Sequence, residues 1–157
     1  MNQEIKEVLF KGKKYLAWKK EIATSEITNK AMYEEGYQKI YDCINEHKIK
    51  ITGSGAVLYF KWDEPKGRAS IAIAAQVESN DDITDNELSF VDVKESKASF
   101  AELRGDYSGL KDIHESLMAY SIENNFKPTL TVEEYTVDPS QDSNPANWIT
   151  NIYYLHN

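Results

Sequence analysis

Two stretches of the chain carry hydrophobic side chains at helical spacing, with charged residues between them. The first stretch covers about residues 28–47 and the second about residues 108–124. Their apolar stripes are formed by Tyr33, Tyr37, Ile40, Tyr41 and Ile44 in the first, and by Leu110, Ile113, Leu117 and Tyr120 or Ser121 in the second. The pattern therefore predicts two long amphipathic helices.

The ends of both helices are marked by residues with known end preferences. Thr28 or Asn29 is the expected cap of the first helix, and Ser108 of the second, because short polar side chains accept hydrogen bonds from the free N–H groups there. The pair Asn124-Asn125 predicts the end of the second helix, since Asn tolerates the left-handed conformation.

The remaining regular sequence has strand character, and it follows the same order twice. Before each helix comes an extended segment with a polar break, at about residues 8–22 and 88–103. After each helix come two short apolar runs separated by a turn-rich loop, at 56–62 and 69–77, and at 129–137 and 148–155. The order of extended segment, helix and strand pair predicts a duplicated architecture.

The length of 157 residues suits one domain, residues 1–157, with a core of its own. We expect one half at about 8–78, an acidic connector at about 79–87, and a second half at about 88–155. Two such halves sharing one sheet would form an α+β domain with a groove along a pseudo-twofold axis. Grooves of this kind are frequent ligand sites.

Composition narrows the classes of partner. Eighteen Lys and Arg against 26 Asp and Glu give a net charge of −8, which argues against direct binding of nucleic acid or an anionic membrane. The N-terminus is polar, and no apolar run approaches the roughly 20 residues of a membrane-spanning helix. We expect a cytoplasmic protein.

No metal or cofactor motif is present in the sequence. The single Cys43 and the three dispersed histidines lack zinc-site spacing, so we expect no metal, no cofactor and a buried thiol in a reducing compartment. The short GSG at 53–55 lacks the other features of a phosphate loop, and no motif of nucleophilic catalysis appears. His114, beside the stripe of the second helix, is expected to be an ordinary boundary residue.

Two adjacent glutamates are the most informative charged residues. Strand alternation sends Glu133 and Tyr135 to one face of the strand at 129–137 and Glu134 to the other. A carboxylate held among aromatic rings favours a cation or hydrogen-bond donors nearby. If one face of the sheet is exposed to solvent, both glutamates lie at the margin of that face and have no special role. The sequence leaves open which of them faces a cleft.

Three segments of the chain resemble GyrI-like small-molecule-binding domains. The strongest is EEYTVDPSQDSNPANWITNIYYL (133–155), with its Glu and Tyr on a strand, Asp-Pro turn and Trp-x-Thr-x-Ile-Tyr strand. The segment KASFAELRGDYSGLKDIHESLMAYSIENNF (97–126) resembles the family's strand, Gly-x-Tyr turn and second helix. The third, GSGAVLYFKWDEPKGRASIAIAAQV (53–77), resembles its central hairpin.

This resemblance implies a duplicated strand-helix-strand-strand module, with an antiparallel sheet, two long helices on one side and a ligand cleft between the halves. Such domains occur behind DNA-binding helices in drug-sensing bacterial transcription regulators, and also alone. Because the chain begins almost at its first strand, it resembles the stand-alone members.

Carried over by motif, the resemblance implies a ligand site of one or two glutamates and several aromatic residues. These are Glu133 or Glu134, Tyr135, Tyr59, Trp62, Tyr107 and Trp148. Many relatives have two further glutamates where this chain has Ala72 and Asn151, so a doubly charged ligand is not expected. Trp18 is equally compatible with the pocket and with the core.

Three functions are compatible with these residues. The first is a multidrug-type binding domain that takes an apolar or cationic small molecule, with a glutamate as anchor. The second, implied by some stand-alone relatives, is a hydrolase of strained cyclopropane-containing electrophiles, with Glu133 and Tyr135 as catalytic residues. The third is an acidic protein-interaction module. The sequence does not identify the ligand, a partner protein or the oligomeric state.

Overall fold

A computed structural model describes residues 4–78 and 87–157, so most of the predicted connector lies outside the described residues. These residues form eight β-strands and two α-helices, which confirms the α+β class and the repeated element order. The strands are β1 (Lys6–Phe10), β2 (Lys13–Ala23), β3 (Ile51–Asp63), β4 (Arg68–Val77), β5 (Leu88–Val93), β6 (Ser96–Arg104), β7 (Leu130–Val137) and β8 (Ile149–His156). The helices are α1 (Lys30–His47) and α2 (Leu110–Glu123).

The described residues divide into two compact units, one within Gly12–Lys94 and the other within Met1–Lys11 and Glu95–Asn157. In the first, which we call the α1 unit, the strands pair antiparallel in the order β3-β4-β2-β5. In the second, the α2 unit, the order is β1-β6-β8-β7, again antiparallel. Each unit therefore contains four strands and one helix, and the predicted division at residues 79–87 stays a prediction.

Helix α1 packs against β2 and β4 and supplies much of the core of its unit. Its cap is Asn29, whose side chain accepts a hydrogen bond from the N–H of Ala31. Cys43 is buried, as expected, and Trp18 is a core residue at 7% exposure. The close approach of helix and sheet depends on Gly36, because a Cβ there would lie 2.7 Å from the side chains of Trp18 and Ile73.

Helix α2 covers one face of its sheet, with Ile113 and Leu117 packed against Ala101, Ile152 and Tyr154. The predicted Ser108 cap is wrong. Tyr107–Gly109 forms a short 3₁₀ turn ahead of the helix, and Asp106 accepts the hydrogen bond from the N–H of Ser108. The Ser108 side chain is not the cap because its hydroxyl contacts the Asp106 carboxylate instead, and Gly109 precedes the first residue of α2. The end was predicted correctly: Asn124 follows the last helical residue and Asn125 has a φ of 57°.

No helix in residues 4–78 and 87–157 is long and apolar enough to cross a membrane.

Candidate functional site

The most unusual charged residue of the α2 unit is Glu133, which is 2% exposed in the middle of β7. It lies opposite Ile152 of β8, and Ile152 belongs to the cluster that packs under α2. Glu133 therefore faces the helix side of the sheet. Burial of a carboxylate at such a place costs free energy unless hydrogen-bond donors replace its water.

Both oxygens of the Glu133 carboxylate have a partner. The hydroxyl of Tyr135, two residues along the strand and on the same face, donates to Oε1 at 2.7 Å. On the other side, Nε2 of His114 from α2 contacts Oε2. Because Oε2 can only accept, we assign the imidazole hydrogen to Nε2. The two donors satisfy the carboxylate from the strand and from the helix.

The imidazole of His114 continues the chain of hydrogen bonds to β8. Its Nδ1 lies 2.7 Å from the hydroxyl of Tyr154, and the same hydroxyl lies 3.3 Å from the main-chain oxygen of His114. Glu133, His114, Tyr135 and Tyr154 thus form one network, which we call the Glu133 cluster. It joins β7, α2 and β8 by polar contacts within a largely apolar layer.

Next to this cluster lie three aromatic rings. The ring of Tyr107 stacks on Trp148 with centroids 5.2 Å apart, and it meets Tyr135 edge to face at 5.7 Å. We call Tyr107, Tyr135 and Trp148 the aromatic wall. Tyr135 belongs to both groups, so the wall is attached to the carboxylate through one hydroxyl.

Hydrogen bonds to main-chain atoms position Tyr107 and Trp148 of the wall. The N–H of Gly105 donates to the carbonyl of Trp148 at 3.0 Å, which ties the turn before Tyr107 to the start of β8. Gly105 has a φ of 119°, a conformation that favours glycine. The indole N–H of Trp148 donates to the carbonyl of Asp142 at 2.7 Å, which fixes the tilt of the ring.

Two tyrosines near Glu133, Tyr107 and Tyr154, have a pKa raised above the usual value. Burial raises the pKa of Tyr107 to about 12, and the negative charges of Asp138 and Glu133 add to the shift. Burial and the charge of Glu133 also raise the pKa of Tyr154. These hydroxyls therefore act as hydrogen-bond donors and acceptors, and not as bases, under ordinary conditions.

Glu134 lies on the opposite face of β7 from Glu133. It is 8% exposed and lies opposite Asn151 of β8, on the face of the sheet that also carries Tyr153. The charge of Glu134 contributes, after burial, to raising the pKa of Tyr153 to about 12. The two glutamates are thus both buried, but they belong to different faces of one sheet.

Tyr59 and Trp62 of the predicted site belong to the α1 unit. Their rings contact each other on β3 with centroids 6.3 Å apart, and Trp62 is 43% exposed. Residues three apart on a regular strand face opposite ways, but β3 is irregular between Tyr59 and Lys61. Because their partners Ile71 and Ala69 are two residues apart, Tyr59 and Trp62 share a face.

Two members of the Glu133 cluster were not predicted as site residues. His114 was expected to be an ordinary boundary residue, and Tyr154 was not singled out. The position of His114 next to the apolar stripe of α2 was a weak signal, because such a position reaches the edge of the buried face. In the described part of the chain, no group of three or more His, Cys, Asp and Glu residues could hold a metal ion.

Comparison with known proteins identifies the fold. No family model and no curated protein matches the sequence. The crystal structure of the EcmrR C-terminal domain matches with a TM-score of 0.78 and 14% identity, over 100% of this chain and 99% of that chain. The chain has the fold of the EcmrR C-terminal domain.

Two further solved structures share this fold. In the cryo-EM structure of the EcmrR–DNA complex the TM-score is 0.81 at 13% identity, over 98% of this chain but 57% of that chain. The chain thus spans little more than half of EcmrR. SAV2435 bound to tetraphenylphosphonium matches with a TM-score of 0.70 and 16% identity, over 100% of this chain and 94% of that chain. At these identities the likeness is one of fold.

Proposed function

We propose that this protein is a GyrI-like small-molecule-binding domain that takes an apolar organic cation. The carboxylate of Glu133 is the anchor, and Tyr107, Tyr135 and Trp148 form the aromatic wall for the apolar part of the ligand. The observation that carries the proposal is a carboxylate at 2% exposure joined by the Tyr135 hydroxyl to a group of three aromatic rings in contact.

The physical argument concerns the charge of the anchor. Hydrogen bonds from Tyr135 and His114 satisfy the oxygens of Glu133, but neither donor is itself a fixed cation. A bound cation would supply the missing positive charge where water screens it little. The electron-rich faces of Tyr and Trp rings attract the same cation. Charge and aromatic contact therefore favour one ligand class.

The comparisons support this choice of ligand. One solved structure of the same fold is SAV2435 bound to tetraphenylphosphonium, an aromatic monovalent cation. The motif residues that resemble the GyrI-like family in this unit form one series of contacts, from Glu133 through Tyr135 and Tyr107 to Trp148. Since Ala72 and Asn151 stand where many relatives have glutamates, we propose a ligand with one positive charge.

Glu134 stays the predicted alternative to Glu133 as the anchor, and Tyr59 and Trp62 stay predicted members of the site. Glu134 offers a second buried carboxylate, but on the face away from α2. The pair Tyr59 and Trp62 offers a second aromatic surface on β3. Replacement of each residue in the same binding assay decides whether it belongs to the site.

The experiment is calorimetric titration with tetraphenylphosphonium and with neutral triphenylphosphine oxide. We expect saturable cation binding by the wild-type protein and a loss of about tenfold or more in Glu133→Gln, since the substitution removes the charge and keeps the shape. Binding of the neutral compound should change little. Glu134→Gln is the matched control, because it removes a buried carboxylate from the other face of the same strand.

Three outcomes would contradict the proposal. The first is that the wild-type protein does not bind the cation. The second is that Glu133→Gln lowers the affinities for the cation and the neutral compound equally. The third is that Glu134→Gln lowers the cation affinity as much as Glu133→Gln does. Circular dichroism of each variant shows whether it is folded. Mass analysis of the mixture after titration shows whether an added cyclopropane-containing electrophile is recovered unchanged, as a binding domain requires.

A further inference from the structure

A second group of polar residues lies near β1, at the opposite end of the strand order β1-β6-β8-β7 from Glu133 on β7. Here a surface depression of about 470 Å³ is lined chiefly by Glu7, Leu9, Lys97, Phe126 and His156. That volume lies within the range of small-molecule sites. None of the residues of the Glu133 cluster or the aromatic wall lines it.

The floor of the depression is one row of residues across three strands. Leu9 of β1 pairs with Lys97 of β6, and Lys97 pairs with His156 of β8, so the three side chains share a face of the sheet. Leu9 is 55% exposed although it is large and apolar. Phe126 lies flat on the His156 ring, with centroids 3.8 Å apart. The row thus places Lys97 between Leu9 on one side and the stacked rings of His156 and Phe126 on the other.

The carboxylate in this depression is already engaged. Ser99 donates to Oε2 of Glu7 at 2.6 Å, and Nε2 of His156 lies 2.7 Å from Oε1. A hydrogen bond and the charge of Glu7 add to burial in raising the pKa of Tyr120. Ser99 and His156 are fully buried, so these partners are fixed. Lys97 is therefore the charge that the depression offers to a ligand.

We propose that this depression is a second binding site, for a small amphipathic carboxylate. The carboxylate of the ligand would pair with the ammonium of Lys97, and its apolar group would cover Leu9 and Phe126. Ion pairing at a partly exposed site is weak, but apolar burial adds to it. The site would then accept the opposite charge from the one proposed for the Glu133 cluster.

The same residues do not form a hydrolytic site. Ser99, His156 and Glu7 are the residue types of a catalytic triad, but the Ser99 hydroxyl donates to Glu7 and not to an imidazole nitrogen. In a triad the imidazole must take the hydroxyl proton of the serine. Binding without covalent chemistry is therefore the function that fits this arrangement.

The test is calorimetric titration with 4-phenylbutyrate, with the uncharged 4-phenylbutyramide as the comparison ligand. We expect saturable binding of the carboxylate and a loss of about two- to fivefold in Lys97→Met, the loss of one solvent-screened ion pair. Lys111→Met, on the exposed face of α2, is the matched control and should bind as the wild type does. The amide should bind the wild type and Lys97→Met alike.

A second variant tests the sign of the charge. Glu7→Gln removes a negative charge beside Lys97, so it should bind 4-phenylbutyrate at least as well as the wild type. Weaker binding in Glu7→Gln would overturn the proposal, as would equal affinities of Lys97→Met and Lys111→Met. Absence of saturable binding up to about 10 mM would also overturn it. Glu133→Gln should bind 4-phenylbutyrate as the wild type does, which separates this result from the fate of the cation proposal.

Discussion

The α2 unit contains two pairs of glutamate and histidine with opposite patterns of exposure. The glutamate is the more buried member of one pair, and the histidine is the more buried member of the other. In the Glu133–His114 pair the carboxylate side chain is 3% exposed and the imidazole 26%. In the Glu7–His156 pair the carboxylate is 39% exposed and the imidazole 3%. One pair buries its acid beneath a helix, and the other buries its base beneath a phenyl ring.

The difference decides what each pair can offer a ligand. A buried carboxylate keeps a strong field because little water screens it, so it can select a cation. A half-exposed carboxylate with fixed donors has a weaker field, and the adjacent Lys97 then dominates. If both proposals hold, the same two residue types favour opposite ligands according to which of them is buried.

The largest effect should come from breaking the buried pair. In His114→Ala, Oε2 of Glu133 loses its contact with α2, and a buried carboxylate is left with Tyr135 alone. We expect a loss of about 2–3 kcal/mol in the free energy of unfolding at neutral pH, measured by urea denaturation.

The substitution for comparison in the other pair is Glu7→Gln, which removes the charge of the more exposed partner and keeps a hydrogen-bond acceptor for His156. Because Glu7 is half exposed, water can replace lost contacts, and we expect a loss of about 1 kcal/mol or less. Equal losses in His114→Ala and Glu7→Gln would show that exposure does not distinguish the two pairs.

The next effect concerns the aromatic wall and the ligand. Trp148→Leu removes the ring that stacks on Tyr107 and keeps an apolar side chain of moderate size. We expect about a fivefold loss of tetraphenylphosphonium affinity, the size of one exposed cation–π contact. The affinity of 4-phenylbutyrate should stay the same. A parallel loss for both ligands would mean that the substitution disturbs the whole α2 unit.

The same titration with Trp62→Leu tests the predicted aromatic surface on β3. If Tyr59 and Trp62 belong to the cation site, the loss should match that of Trp148→Leu. An affinity equal to that of the wild type would remove both residues from the predicted site.

The local pattern of hydrophobic residues was enough to predict most of the helices and strands. Period-3.6 and period-2 patterns located both helices and the strands around them, because each buries one face against a core. The strand pairing was not readable in the same way. β1 pairs with β6 and β5 with β2, partners far along the chain, and nothing local in these short strands names the partner.

The arrangement of the Glu133 cluster was predictable in part for a similar reason. Alternation along β7 put Glu133 and Tyr135 on one face, and the structure has them joined by a hydrogen bond. The role of His114 depends on how α2 is set over β7, which the sequence of either element does not state. In β8 each face carries both polar and apolar or aromatic residues, so alternation gave no signal of the direction of Tyr154.

Alkaline pH offers a further comparison, because the raised pKa values belong mostly to the surroundings of buried carboxylates. Tyr107 keeps its proton up to about pH 12 in the folded protein, whereas a tyrosine in the unfolded chain ionises near pH 10. The unfolded state therefore loses its proton first, and the free energy of unfolding should fall as the pH rises from about 10 to 12.

Urea denaturation at several pH values measures this fall, and Tyr107→Phe should reduce its slope. A slope unchanged in Tyr107→Phe would show that Tyr107 titrates alike in the folded and unfolded states. Part of the slope should persist in the variant, because the pKa of Tyr153 is also raised to about 12.

The smallest effect separates burial from charge as the cause of these shifts. Glu133→Gln removes one negative charge near Tyr107, so the pKa of Tyr107 should fall slightly below about 12, with most of the shift retained because burial is its largest cause. Glu7→Gln should lower the pKa of Tyr120 in the same way and leave Tyr107 unchanged. Ultraviolet absorbance of tyrosinate, compared with that of Tyr107→Phe and Tyr120→Phe, assigns each transition. If the pKa of Tyr107 fell in both Glu133→Gln and Glu7→Gln, both carboxylates would act electrostatically on Tyr107. The two glutamate–histidine pairs would then not be independent sites.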